Sequence, residues 1–237
     1  MTAVAGPAEG RPLTRMRRVI ATRMRASVAT KPHVTLHTHA SATTLLGHRR
    51  DSGPGMTAQV VWAVARVLTQ HPDVNTWLLD DRLVAVDRVN VGVAVDVPGG
   101  LLVPVIHDAD RLDPSQIQAS LTDQAARARS GRLNADDMAD ATFTVSTLGG
   151  LGVGHFTPII SPPQVAILGV GALESSALVV DGVARAEQRL PLSLSFDHAA
   201  LDGAPAARFL RAVVKQLELG ITAGAAMEGV VGDGPLG

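Results

Sequence analysis

The sequence predicts one α/β domain in which helices pack on a large mixed sheet. Three observations predict it. Apolar residues recur at helical spacing in four segments, and alternate or run unbroken in the short segments between them. The two kinds of segment mix from end to end, with no long linker and no internal repeat to divide them. Apolar residues are 46% of the 237 and charged residues 18%, enough to fill one large core.

The elements follow in order. Residues 1–12 are rich in Gly, Pro and Ala and read as mobile. Thr14 can cap a helix that carries Met16, Ile20, Met24 and Val28 as one apolar stripe, and Lys31-Pro32 stops it. HVTLHTHA (33–40) alternates as a strand does, and HRRDSGPG (48–55) reads as a loop. A second helix covers 57–70 with Val60, Val61, Val64 and Leu68 on one face. Short strands follow at 75–79, 83–86 and 89–97, and PGG (98–100) turns the chain into LLVPVI (101–106). A third helix at 114–130 is closed by Gly131. TFTVST (142–147) is a strand that feeds the glycine loop LGGLGVGHF (148–156), and VAILGV (165–170) is a buried strand. Asp181-Gly182 marks a hairpin turn, LPLSLSF (190–196) is a further strand, and the last helix spans 204–219 with Phe209, Val213 and Leu217 inward. The domain so read runs over 14–220, between flexible segments at 1–13 and 221–237.

Composition removes several classes of function. A net charge of −1 offers no footprint for nucleic acid or an anionic membrane. The absence of cysteine removes disulfides, thiolate nucleophiles and Cys-type zinc sites. No apolar run approaches the ~18–20 residues that span a bilayer. The first residues lack a basic start before an apolar stretch, so they do not read as a signal peptide, which fits a cytoplasmic protein.

The chemistry concentrates in SFDHAALDG (195–203), where His198 stands between Asp197 and Asp202 at the junction of a strand and a helix. A strand end holds a side chain rigidly yet leaves it reachable, and histidine is the natural base near neutral pH. Gly203 permits an unusual backbone turn there. The plain alternative makes Asp202 a helix cap and His198 a turn residue. Ser146 and Thr147 end the strand before the glycine loop, where hydroxyls can stabilise an oxyanion or simply finish a strand. The loop spacing does not match a dinucleotide fingerprint, and no G-x-S-x-G elbow is present. His33, His37 and His39 suggest a metal, but no carboxylate neighbours them and solvated or interface roles fit better, so no metal is expected. RMRRVIATRMR (15–25) is a basic helix face, ordinarily solvated, whose arginines could also pair with a buried aspartate.

Taken together, RRVIATRM, KPHVTL, VNVGVAVDVPGGLLVPVI, TFTVSTLGGLGVGHFTPIISPPQVAILGVG and LPLSLSFDHAALDGAPAARFL resemble the catalytic domain of the dihydrolipoyl acyltransferases of 2-oxo acid dehydrogenase complexes. That family shares the fold of chloramphenicol acetyltransferase, so the resemblance implies a two-layer sandwich with a large mixed sheet and a homotrimer with sites between subunits. Coenzyme A or acetyl-CoA would be a co-substrate. His198 would be the general base, drawing a proton from the acceptor while the acceptor attacks the thioester directly. Ser146 would donate to the oxyanion from the neighbouring subunit. Asp202 would hold the site through a salt bridge to Arg17, or to its neighbour Arg18.

The sequence also departs from the family. No lipoyl domain, lipoyl attachment site or Pro/Ala linker precedes residue 14, and the arginine expected after the histidine is Ala199, as alanine follows the histidine of chloramphenicol acetyltransferases. These departures, together with a tail after Gly220 that is not the short end expected of a complex core subunit, lead to the expectation of a stand-alone CoA-dependent acyltransferase that acetylates a hydroxyl of a small-molecule or carrier-bound biosynthetic intermediate. The alternative is an acyltransferase core of a dehydrogenase complex, served by a lipoyl domain in trans. A non-catalytic trimeric scaffold comes third.

Overall fold

A computed structural model describes residues 10–50, 53–180 and 182–221. Most of the expected mobile ends, 1–9 and 222–237, and Asp181 of the hairpin turn lie outside the described residues. Seven strands form one mixed sheet in the order β1 (His33–Ser41), β11 (Val183–Asp197), β9 (Ala166–Val170), β8 (Phe143–Thr147), β4 (Val91–Val93), β7 (Val105–Ile106), with β10 (Glu174–Val180) on the free half of β11. Two small hairpins stand apart, β2 (Thr76–Leu79) with β3 (Arg82–Ala85) and β5 (Val95–Val97) with β6 (Gly100–Leu102).

One face of the sheet carries the core. Leu192, Leu194 and Phe196 of β11, with Leu168 and Val170 of β9, meet α3 (Met56–Leu68) and α5 (Gly203–Leu219). Phe209, Val213 and Leu217 of α5 are buried there as the sequence implies. The core of α3 is wider than one stripe. Every residue from Ala58 to Leu68 except Arg66 is buried, because the helix is enclosed by neighbours rather than laid on a surface. Helix α4 (Pro114–Arg129) starts with a reciprocal cap: the Asp113 carboxylate accepts from Ser115 and Gln116, and the Gln116 side chain binds back to Asp113.

The other face of the sheet is polar. Thr35 and Ser195 share a hydrogen bond of 2.8 Å, and His37 meets Ser193 at 2.9 Å. The segment 153–163 covers this face. A Cβ on Gly169 would lie 2.9 Å from the Phe156 ring, so the glycine lets that ring settle on the sheet.

The structure corrects four local expectations. The loop assigned to 48–55 begins inside helix α2 (Thr43–Arg50), which Leu45, almost fully buried, anchors to the core. The strand expected over 89–97 is two, β4 and β5, in different sheets. The hairpin arm and 190–196 are one fifteen-residue strand, β11. Pro191 does not break it: β10 pairs as far as Arg189 and β9 begins at Leu192, so no N–H is required between them. Helix α1 (Arg15–Thr30) is capped by Thr14 as expected, but its stripe is not core. Val28 is 60% exposed, and Met16, Ile20 and Met24 line a cavity of about 820 Å³ shared with Trp77, Leu102 and Pro162.

Candidate active site

Strand β11 delivers His198 at its very end. The strand is held by β1 up to Asp197 and by β9 up to Phe196, and the Asp197 N–H donates to the Val165 carbonyl, so the backbone entering the turn is fixed. The Asp197 carbonyl accepts from the N–H of Ala200 and Leu201, and the His198 N–H donates to Pro32 at 2.9 Å. The ring itself is 45% exposed, and Phe196 lies beside it with ring centroids 5.6 Å apart. Nδ1 is turned to the Asp202 carboxylate at 4.0 Å, which leaves Nε2 as the nitrogen a substrate can reach.

Asp202 does not occupy the expected place. It is the N-cap of α5, but its side chain caps nothing and is 85% exposed. No salt bridge links it to the first helix. Arg17 instead donates to the Gly99 carbonyl at 3.3 Å and Arg18 to Leu13 at 2.9 Å, because α1 places both near its own start. Gly203 opens α5 in open space, where a Cβ would meet nothing within 4 Å. The unusual turn expected of it is therefore not required.

The carboxylate that does hold this turn is Asp197. It is fully buried, and its Oδ2 accepts from Lys31 Nζ at 2.8 Å while Oδ1 accepts from the Ala199 N–H at 3.0 Å. Sequence reasoning used Lys31 only as a helix stop. One signal was available: Lys31 is one of only two lysines in a chain that otherwise uses arginine.

Ser146 is the next-to-last residue of β8 and half-buried, and Thr147 ends the strand exposed. Register places Ser146 opposite Gly169, and Gly169 opposite Ser193. His198 lies five residues further along β11. At ~3.3 Å per residue and ~4.8 Å per strand spacing, Ser146 and His198 of one chain are roughly 15–20 Å apart. A base and an oxyanion donor must both reach one reacting carbonyl at ~3 Å. One chain alone does not bring them together.

Four other histidines, His33, His37, His39 and His155, lie on the polar side of the sheet. His33 Nδ1 pairs with the Lys31 carbonyl and its Nε2 accepts from the Ile160 N–H. His155 contacts Ser193 at 3.2 Å and His39 at 3.3 Å, with the Glu174 carboxylate 3.7 Å from His39. Burial, then the neighbouring His39 and His37, hold the His155 pKa below the ordinary histidine value, against an opposing pull from Glu174. Among the described residues, no three His, Cys, Asp or Glu side chains are grouped to hold a metal ion. No described helix is long and apolar enough to cross a membrane.

Residues 5–223 match the family model for the 2-oxoacid dehydrogenases acyltransferase (catalytic domain). The dihydrolipoyllysine-residue acetyltransferase component of the acetoin cleaving system of Bacillus subtilis is 37% identical over 87% of this chain and 54% of its own length. The chain spans about half the length of the curated relatives it matches. Among solved structures, the Azotobacter vinelandii dihydrolipoamide acetyltransferase superposes with a TM-score of 0.86 at 38% identity, covering 90% of this chain and 92% of that one. That structure was determined to investigate a serine, a histidine and an asparagine in its catalytic mechanism. The cubic core of a pyruvate dehydrogenase multienzyme complex gives 0.84 at 37% identity, with the same two coverages. Chloramphenicol acetyltransferase, at 15% identity and a TM-score of 0.53, shares the fold.

These relatives overturn the expectation of a stand-alone enzyme acting on a hydroxyl. They are acyltransferase components of multienzyme systems, at substantial identity over most of the chain. Of the departures behind that expectation, one is local and those at the two ends of the chain do not bear on the whole protein. Ala199 serves the turn through its backbone N–H, which arginine or any residue but proline also supplies, so alanine in place of arginine leaves the turn intact. Nothing about the complete protein follows from where this chain begins or ends.

Proposed function

The chain belongs to the 2-oxoacid dehydrogenases acyltransferase family, and on that premise we propose that it moves an acyl group between a dihydrolipoyl group and coenzyme A. The domain that does so is 14–220, and the dihydrolipoyl group is presented by a lipoyl domain, in trans if none accompanies this chain. His198 Nε2 takes the proton of the attacking thiol. The sulfur forms its bond to the thioester carbonyl, and the carbonyl oxygen becomes an oxyanion that accepts a hydrogen bond from Ser146 Oγ. When the intermediate collapses, the C–S bond to the departing group breaks and the departing thiolate recovers the proton from His198. Asp202 faces Nδ1 and steadies the ring, without the arginine partner expected of it.

One observation carries the assignment. In the Azotobacter chain the serine precedes the histidine by as many residues as Ser146 precedes His198, and the asparagine follows at the spacing of Asp202. The same chemistry requires more than one copy, since the two groups are too far apart within one chain. We therefore place the active site between subunits of a homotrimer, with His198 from one subunit and Ser146 from the next.

The test is release of free CoA from acetyl-CoA with dihydrolipoamide as acceptor. The wild-type chain should turn over, and His198→Ala should fall by about 10²–10⁴-fold. No transfer by the folded wild-type chain, or equal rates for the two, would reject this function.

A further inference from the structure

We propose that Lys31 is a positioning residue for the base, acting on His198 through Asp197. The inference rests on His198 being that base. Asp197 directly precedes it, is fully buried, and has every polar atom engaged. Oδ2 accepts from Lys31, Oδ1 from the Ala199 N–H, the carbonyl from Ala200 and Leu201, and the N–H donates to the Val165 carbonyl. This one residue thus defines the path of the turn that carries the imidazole.

Lys31 and its neighbour Pro32 each grip this turn. The Lys31 ammonium holds the Asp197 carboxylate, and Pro32 accepts the His198 N–H at 2.9 Å. Lys31 is itself fixed, since its N–H closes α1 on the Ser27 carbonyl and its own carbonyl pairs with His33. The end of α1 and the end of β11 are therefore one rigid unit around the base. The carboxylate–arginine pair expected to do this is not made, because Asp202 is exposed and Arg17 binds Gly99.

Stability does not explain the pair. Desolvating two charges is costly, and well-packed apolar residues of the same volume often serve a fold as well or better. Geometry at the reacting group does explain it, because a shift of about 1 Å there can cost ~10²-fold in rate.

Three proteins test this: wild type, Lys31→Met, and Lys31→Met combined with Asp197→Leu. Each is measured for acetyl transfer, thermal midpoint, and deuterium exchange at the amides of His198 and Ala199. Lys31→Met should lower kcat by roughly 10–100-fold with KM for acetyl-CoA little changed, and should speed exchange at both amides. The double variant removes the orphaned buried charge, so its midpoint should recover while kcat stays low. It also carries the test if Lys31→Met alone does not fold. Wild-type kcat and unchanged exchange in Lys31→Met would overturn the proposal. So would a double variant in which kcat returns together with the midpoint, since that is the behaviour of a merely structural pair. If wild type transfers no acyl group, the enzymatic reading fails, and amide exchange still decides whether Lys31 orders the turn.

Discussion

At the scale of single residues, the proposed mechanism gives two groups different work. In that proposal His198 moves a proton and Ser146 stabilises charge, so their loss should look different from the loss of a packing residue. Ser146→Ala should lower kcat by roughly 10²-fold while leaving the thermal midpoint near wild type, because the side chain is half-buried and belongs to no core cluster. Steady-state kinetics beside a melting curve checks this; equal kcat in the two proteins would remove Ser146 from the mechanism. Both residues were legible in the sequence, as a histidine at a strand end before a helix and a hydroxyl before a glycine loop. The Lys31–Asp197 pair was not. Its members are 166 residues apart, and no local period or spacing announces that a helix stop will meet a strand end. Arg17 was the wrong cation for a related reason. A basic helix face shows that arginines are present, but only the packing of α1 decides which carbonyl or carboxylate each one meets.

At the scale of elements, most periodic segments are legible, short strands such as β2, β3, β8 and β9 included. The helices α1, α3, α4 and α5 were readable to within a few residues, and β1 and β9 likewise. Helix α2 was hidden, since its eight residues carry a glycine and only one well-buried leucine. Two element-level predictions follow from contacts. A Cβ on Gly171 would stand 1.9 Å from the Gly154 carbonyl oxygen, which belongs to the loop leaving Ser146. Gly171→Ala should therefore lower the thermal midpoint and reduce kcat together, read by melting and acetyl transfer on the same preparation. The second concerns pH. His71, past the end of α3, packs edge-on against Phe209 of α5 at 5.6 Å. Burial, and secondarily the Arg208 charge, lower its pKa from the ordinary histidine value. A depressed histidine means that the unfolded chain binds more protons in the window just below ~6.5. Its contribution is complete above that value and is lost as pH falls through the window. His71→Phe keeps the ring contact and removes the titration, so the fall in midpoint between about pH 7 and pH 5 should become shallower. An unchanged slope would show that His71 is not part of it.

At the scale of the whole molecule, the fold class was readable from the mixture of periods, while the sheet order was not. The order β1-β11-β9-β8-β4-β7 depends on pairings between distant segments, which no single stretch encodes. That order matters for function, because it sets Ser146 and His198 at opposite ends of β9 and leaves each without the other. Apolar side chains also remain on the outside of the chain. Val28 on α1, and Val179 and Val183 on the hairpin arm, are all more than half exposed. The prediction is that the proposed trimer covers the hairpin arm: Val179→Asp should weaken assembly, seen as a lower mass by sedimentation or light scattering, with activity falling alongside it, and an unchanged mass would show that this arm is not in the interface.

A proposed active site built from His198 of one subunit and Ser146 of the next is open to test with mixed trimers. His198→Ala and Ser146→Ala chains, each nearly inactive, are unfolded, mixed in equal amounts and refolded together. Each mixed ring then holds one boundary where an intact His198 faces an intact Ser146, so acetyl transfer should return to about a quarter of wild type. Activity no greater than the mean of the two variants refolded separately would contradict the account, and would place both groups in a site made by a single chain.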